Sequence, residues 1–196
     1  MEPATHSDIN QQLLVYRAWL NAGEATQLFQ RLQNELPWQQ HHIQVFGKRC
    51  LEPRLSLWVG DEDCAYRYSG RWREPSPWPD YLLALKQALE QRVQQPFNSV
   101  LLNYYRDGAD YMGWHSDNEK QLGSVPVIAS LSLGEARRFL FRHKLNNERR
   151  EYLLENGDML LMNQLSQQQW QHSLPKMLKV KRPRINLTFR YTMNLS

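Results

Sequence analysis

Arg182-Pro183-Arg184-Ile185-Asn186-Leu187-Thr188-Phe189-Arg190-Tyr191 carries the clearest strand signal in the chain. Beyond Pro183 the residues alternate. Arg184, Asn186, Thr188 and Arg190 fall on one side of an extended chain, and Ile185, Leu187, Phe189 and Tyr191 on the other. Two readings are open. In one, the strand is half-buried with its polar side in water. In the other, the apolar side lies under helices and the polar side lines a barrel interior, where arginines need an anionic partner. Residues 101–106 repeat the pattern, with Asn103 and Tyr105 opposite Leu102 and Tyr104.

Working outward, Ala25, Leu28, Leu32 and Leu36 recur at helical spacing until Pro37 stops them. Leu82, Leu85, Leu89 and Val93 mark a second helix over about residues 80–95, closed by Pro96. Short strands are expected at 41–47, 55–59, 65–68, 99–106, 125–133, 138–143, 151–154, 158–162 and 185–192, many separated by turn pairs such as Asp107-Gly108 and Asn156-Gly157. Helices followed by many closely spaced strands predict a mostly β protein with flanking helices, an antiparallel barrel or jelly roll whose N-terminal helices pack on one sheet. The expected organisation is a tail over 1–18 and one domain over 19–196.

The chain has 196 residues, enough for a sizeable core, and a net charge of +4. The charge is uneven: Arg137, Arg138, Arg142 and Lys144 form one cluster, and Lys176, Lys179, Lys181, Arg182 and Arg184 another. These are either solvated faces or sites for an anionic partner. Cys50 and Cys64 have neither a zinc-finger nor a CxxC spacing, which argues against a disulfide framework and fits a reducing compartment. No apolar run approaches the ~18 residues of a membrane span, and the polar start carries no secretory signal. The expectation is a cytoplasmic protein, nuclear in a eukaryote, and a monomer without membrane association.

His115-Ser116-Asp117 places an imidazole and a carboxylate two positions apart, on one side of an extended segment. His172 follows 57 residues later, far enough to arrive on a neighbouring strand, although a surface histidine in the turn before Pro175 is the other reading. Two histidines and one carboxylate are the ligand set of non-haem Fe(II) oxygenases. Arg184 and Arg190 on one face can hold a dicarboxylate such as 2-oxoglutarate.

With Asn103-Tyr104-Tyr105-Arg106-Asp107-Gly108, Trp114-His115-Ser116-Asp117, His172-Ser173-Leu174-Pro175 and the final strand, the chain resembles the AlkB family of Fe(II)/2-oxoglutarate nucleic-acid dealkylases over roughly residues 44–191, most like its DNA-repair members. The resemblance implies a double-stranded β-helix with Fe(II) held by His115, Asp117 and His172. It implies 2-oxoglutarate held by Asn103, Tyr105, Arg184, Asn186, Thr188 and Arg190, with Arg184 on the far carboxylate and Arg190 at the iron-bound end. O2 and 2-oxoglutarate would then oxidise N-methyl groups of bases such as 1-methyladenine and 3-methylcytosine, releasing formaldehyde, succinate and CO2.

The implied partner is alkylated DNA, single- or double-stranded. The alternatives are RNA or tRNA, a protein side chain or a lipid as substrate of the same chemistry, or a catalytically idle nucleic-acid-binding jelly roll. Hairpins at about residues 41–70 would recognise the base. Phe46 resembles a wedge that fills the gap left by a flipped base, and Tyr66, Tyr68 and Ser69 resemble a lid over it. Asn118 and Glu119 match positions at the base edge, and Arg54 reaches the same pocket. Arg137, Arg138, Arg142, His143 and Lys144, with Lys176 and Lys179, would grip phosphates.

Overall fold

The alternation in the last strand is used twice in the structure, its apolar side beneath helices and its polar side against a second sheet. The computed structural model describes all residues except 1–4, 9–11, 46, 65, 69–70, 125, 147 and 194–196, and gives the backbone alone for 5–8, 45, 66–68 and 71–73. In chain order the elements are β1 (Thr5–Asp8), β2 (Leu13–Tyr16), α1 (Ala22–Glu35), β3 (His42–Val45), β4 (Lys48–Leu51), β5 (Leu55–Gly60), β6 (Tyr66–Tyr68), β7 (Arg71–Arg73), α2 (Asp80–Val93) and β8 (Ser99–Tyr105). They continue with β9 (Met112–His115), β10 (Ile128–Gly134), β11 (Arg137–His143), β12 (Arg149–Leu154), β13 (Met159–Met162), α3 (Gln164–Gln169), β14 (Trp170–Leu174) and β15 (Arg184–Arg190). A seven-stranded sheet runs β1-β2-β13-β10-β15-β8-β5, and a four-stranded sheet runs β12-β11-β14-β9. The β3–β4 and β6–β7 hairpins stand as separate two-stranded sheets. Among the described residues the named strands pair antiparallel, and the two large sheets form the jelly-roll sandwich that the sequence predicts.

The outer face of the seven-stranded sheet presents Val100, Leu102, Ala129, Leu131, Leu133, Ile185, Leu187 and Phe189, which share one core with Ala25 and Leu32 of α1 and Leu82, Leu85 and Leu89 of α2. Helix α1 begins on a capping box in which Asn21 accepts from the Glu24 N–H and Glu24 accepts from the Asn21 N–H. It ends at Leu36, before Pro37, as the spacing predicts. The opposite, inner face joins the four-stranded sheet through Ile128, Leu13, Val15, Phe139, Phe141, Leu160 and Trp170.

Two expectations need correction. Residues 13–16, placed in the tail by the sequence reading, form β2 beside β13, with Leu13 and Val15 buried between the sheets. His172, expected on a strand neighbouring His115, is buried on β14, and the alternative of a surface turn does not hold. Arg137, grouped with the phosphate-gripping cations, is also interior, only 1% exposed. Its guanidinium donates to the carbonyls of Asp107, Asp110 and Pro175, tying the β8–β9 loop to the segment after β14.

That loop is tight. Gly108 exchanges backbone hydrogen bonds with Met177 and Val180, and a Cβ there would lie 1.8 Å from the Met177 carbonyl oxygen. Gly108→Ala is therefore expected to destabilise the protein by about 1–3 kcal/mol through overpacking against backbone, read as a lowered Tm. An unchanged Tm would show that the two loops part freely.

Candidate metal centre and its cavity

The register of the two sheets assembles the site. On the inner face of the large sheet, Arg184 lies opposite Tyr105 and Asn186 opposite Asn103 across β15–β8. Thr188 pairs with Ser130 and Asn186 with Ser132 across β15–β10. In the small sheet, His172 of β14 is the direct cross-strand partner of His115, the last residue of β9. Their ring centroids lie 4.2 Å apart. Asp117 sits just beyond β9, buried, its N–H donating to Gln167 Oε1 at 3.0 Å, while Ser116 donates to the Trp170 carbonyl at 2.7 Å. Helix α3 and the start of β14 thus hold the His-x-Asp loop in place.

The ligand-type atoms of His115, Asp117 and His172 all lie within 4.8 Å of one another. Asp117 Oδ2 is 3.6 Å from His172 Nε2, and its Oδ1 is 3.4 Å from an Arg190 nitrogen. Burial by itself would raise the Asp117 pKa, but the Arg190 guanidinium, His172 and His115 outweigh it and hold the carboxyl below its ordinary range. His172 moves down to about 3, first because it is buried and then because His115 lies beside it, so its imidazole is neutral at physiological pH. The His115 Nδ1 lies 2.9 Å from the Gly113 carbonyl oxygen, which only accepts; Nδ1 therefore donates, and Nε2 is the ring nitrogen left for a metal. Phe139 stacks on His172 at 5.3 Å. An anionic carboxylate and a neutral His172 imidazole are protonation states a divalent metal requires, and with His115 Nε2 as the third donor the set fits one.

The three residues open into a cavity of about 220 Å³ lined also by Arg54, Leu101, Asn103, Tyr105, Met112, Glu119, Ser130, Phe139, Met162, Asn186, Thr188 and Arg190. Arg54 donates to Asn103 Oδ1 at 2.8 Å and pairs with buried Glu52 at 2.9 Å. The Asn103 carbonyl is thereby used, leaving its NH2 for a ligand. Asn186 donates to Ser130 and to the Leu131 carbonyl, and accepts from Thr188. Arg184 is 1% exposed and does not line the cavity. Its terminal nitrogens donate to Ser132 Oγ and to the Leu154 and Glu135 carbonyls, and its Nε has no partner. No carboxylate pairs with it among the described residues, and burial lowers its pKa to about 10.

Most of the cavity-facing residues predicted from sequence therefore converge. Asn118 does not: it is exposed and outside the lining. Phe46 and Ser69 lie outside the described residues, and only the backbone of Tyr66 and Tyr68, in β6, is described. Gln167, Glu52, Ser130 and Met162 escaped the sequence reading. A polar or apolar residue within a run of its own kind shows no sign of its partner.

An antiparallel jelly roll with two histidines and a carboxylate at its mouth, and a strand of arginine, asparagine and threonine behind them, defines the class of 2-oxoglutarate-dependent iron oxygenases. Comparison with known proteins agrees. The model of the 2OG-Fe(II) oxygenase superfamily matches residues 12–190. The chain is 38% identical over 189 residues to the mouse (Mus musculus) alpha-ketoglutarate-dependent dioxygenase alkB homolog 3, covering 91% of this chain and 65% of that protein. It is 38% identical over 186 residues to the human (Homo sapiens) DNA oxidative demethylase ALKBH2, covering 89% of this chain and 71% of that protein. The solved structure of OsALKBH1 superposes with a TM-score of 0.64 at 17% identity, covering 91% of this chain and 97% of that one, a likeness of fold. The chain belongs to the AlkB family within the 2OG-Fe(II) oxygenase superfamily. It spans a little under two thirds of the length of the mouse relative.

Proposed function

We propose that this chain is an Fe(II)- and 2-oxoglutarate-dependent dioxygenase that oxidatively removes N-methyl groups from DNA bases. The observation that carries the reading is the convergence of His115, Asp117 and His172 on a cavity backed by the polar face of β15. His115 Nε2, an Asp117 oxygen and His172 Nε2 would hold the iron. Bound there with 2-oxoglutarate, the iron supplies O2 activation and oxidation of the methyl carbon, which leaves as formaldehyde.

The chain's own residues position and shield. Arg190, already 3.4 Å from Asp117, would take the metal-side end of 2-oxoglutarate, and the Asn103 amide and Tyr105 its flank. Arg184, a buried cation without a carboxylate, would take the far one. Phe139, Met112 and Met162 make the walls apolar, which keeps water from the oxidant. We place the substrate base at the rim beside Glu119 and Arg54, under the β3–β4 and β6–β7 hairpins, within a single oxygenase domain. Charge and relatives both support a DNA substrate. The net charge is +4, and the human relative is named a DNA oxidative demethylase. No helix among the described residues is long and apolar enough to cross a membrane.

The test is incubation with Fe(II), 2-oxoglutarate and single- or double-stranded oligonucleotides carrying 1-methyladenine or 3-methylcytosine, with formaldehyde release and base reversal as readouts. Absence of turnover on all of them by iron-loaded protein would refute the reading. Glu119 faces a cationic lesion in this arrangement. Glu119→Gln is therefore expected to lower kcat/KM for 1-methyladenine about ten-fold, the scale of one charge-assisted hydrogen bond, and to change that for uncharged 3-methylthymine much less. Equal losses on both would place Glu119 away from the base.

A further inference from the structure

Strand β9 carries His115 toward the cavity, and beside it stand two aromatic residues that the chemistry above does not use. Trp114 is 37% exposed, and Tyr111, just before β9, is 36% exposed. Each has a cation on its ring. The Arg142 guanidinium carbon lies 4.7 Å from the Trp114 ring centre, and Lys176 Nζ lies 4.9 Å from that of Tyr111. The register settles which side they occupy. Phe141 and His172 face the interior, so their chain neighbours Arg142 and Gln171, joined by a 2.7 Å hydrogen bond, face outward. Trp114 therefore lies against the outer face of the small sheet, at the edge that carries the metal site.

Several of the chain's arginines are already spent on carboxylates. Arg31, Arg106, Arg138 and Arg182 are each neutralised by a carboxylate. Among the described residues Arg142 and Lys176 form no ion pair and rest on aromatic rings instead. A flat ring with a free cation beside it is the pairing that receives an unpaired base and its phosphate: the base stacks, the phosphate meets the charge. In a duplex the base faces are already stacked on one another and closed to such contact.

We propose that Trp114–Arg142 and Tyr111–Lys176 form a stacking track for the unpaired nucleotides that flank the target base, so that the enzyme grips a single strand along β9 while the lesion enters the cavity. This rests on the reading of the substrate as nucleic acid.

The test uses the full chain and four variants: Trp114→Ala, Trp114→Phe, Tyr111→Ala and Arg142→Ala. Two probes serve: a single-stranded oligonucleotide, bare or bearing one 1-methyladenine, and the free nucleoside 1-methyldeoxyadenosine, which has no flanking nucleotides. Trp114→Ala and Tyr111→Ala are each expected to weaken binding of the bare oligonucleotide about five-fold or more, with Trp114→Phe retaining most of it. Arg142→Ala is expected to reduce the salt-dependence slope by about one unit. Turnover of the free nucleoside should be unchanged in all four.

Wild-type binding by both alanine variants would overturn the track. So would an equal loss on the nucleoside, which would mean that the rings only brace His115. Should the wild type bind single strands through Trp114 yet oxidise no methylated base, the proposed function fails and the track stands. Should it oxidise them with the variants unaffected, the track alone fails.

Discussion

Asp117→Ala is expected to lose divalent-metal binding and turnover together, with formaldehyde release falling on the order of a thousand-fold or more, the scale on which removal of an acting group is felt. Asp117 is the only anionic member of the three-residue set, and it meets both His172, at 3.6 Å, and Arg190, at 3.4 Å. Two imidazoles remain after the substitution, with Arg190 beside them and no carboxylate left in the ligand set. The same substitution strips Arg190 of its carboxylate partner, so some loss of stability accompanies it. Activity alone is therefore a poor readout. The decisive measurement is metal affinity of the folded variant, with Mn(II) as a spin-active stand-in for iron. Asp117→Asn, which keeps the shape and the Gln167 contact to the backbone, should lose affinity almost as fully. Metal bound at wild-type strength by either variant would refute the ligand assignment.

The parts of this site that were legible in the sequence are those in which period and register agree. Seven residues of β15 alternate without a break, so the faces of Arg184, Asn186, Thr188 and Arg190 followed from the pleat, and β8 repeated the pattern as their cross-strand neighbour. The two longer helices announced themselves by spacing and by the prolines that stop them. Strand β9 did not. It is four residues long, contains Gly113, and pairs with β14 through a register shift. Strand β14 follows a glutamine-rich helix with no apolar lead-in, so it is missing from the expected strands, and His172 stood out only as the distant third member of a ligand set. Strand β2 reads Leu13-Leu14-Val15-Tyr16, a continuous apolar run whose period is undefined, and it passed for tail. Arg137 was misjudged because residue type argues for solvent, whereas three backbone carbonyls contributed by two distant loops hold it inside. Such partners are set by tertiary structure and leave no local trace.

Arg184 is where the second large effect is expected. Its guanidinium is buried, donates to one hydroxyl and two carbonyls, and meets no carboxylate among the described residues. Burial outweighs the help of Tyr105 and lowers its pKa to about 10, so the co-substrate-free protein carries a charge whose desolvation is only partly offset. A dicarboxylate arriving at that end would supply the missing anion. Arg184→Met is therefore expected to raise the KM for 2-oxoglutarate on the order of a hundred-fold, within the ~2–5 kcal/mol felt when one partner of a buried charge pair is truncated. Because the far carboxylate is held equally before and during oxidation, kcat at saturating 2-oxoglutarate should change much less. Metal affinity should not change, which separates this variant from Asp117→Ala. Arg184→Lys keeps the charge but loses the planar fork that reaches Ser132 and Leu154 together, so an intermediate KM is expected. Thermal shift gives the independent check. The rise in Tm that 2-oxoglutarate produces in the metal-loaded wild type should disappear in Arg184→Met at the same concentration. An undiminished shift would mean that the co-substrate's far carboxylate is held elsewhere, with Arg184 serving only to tie β15 to β10 and β12.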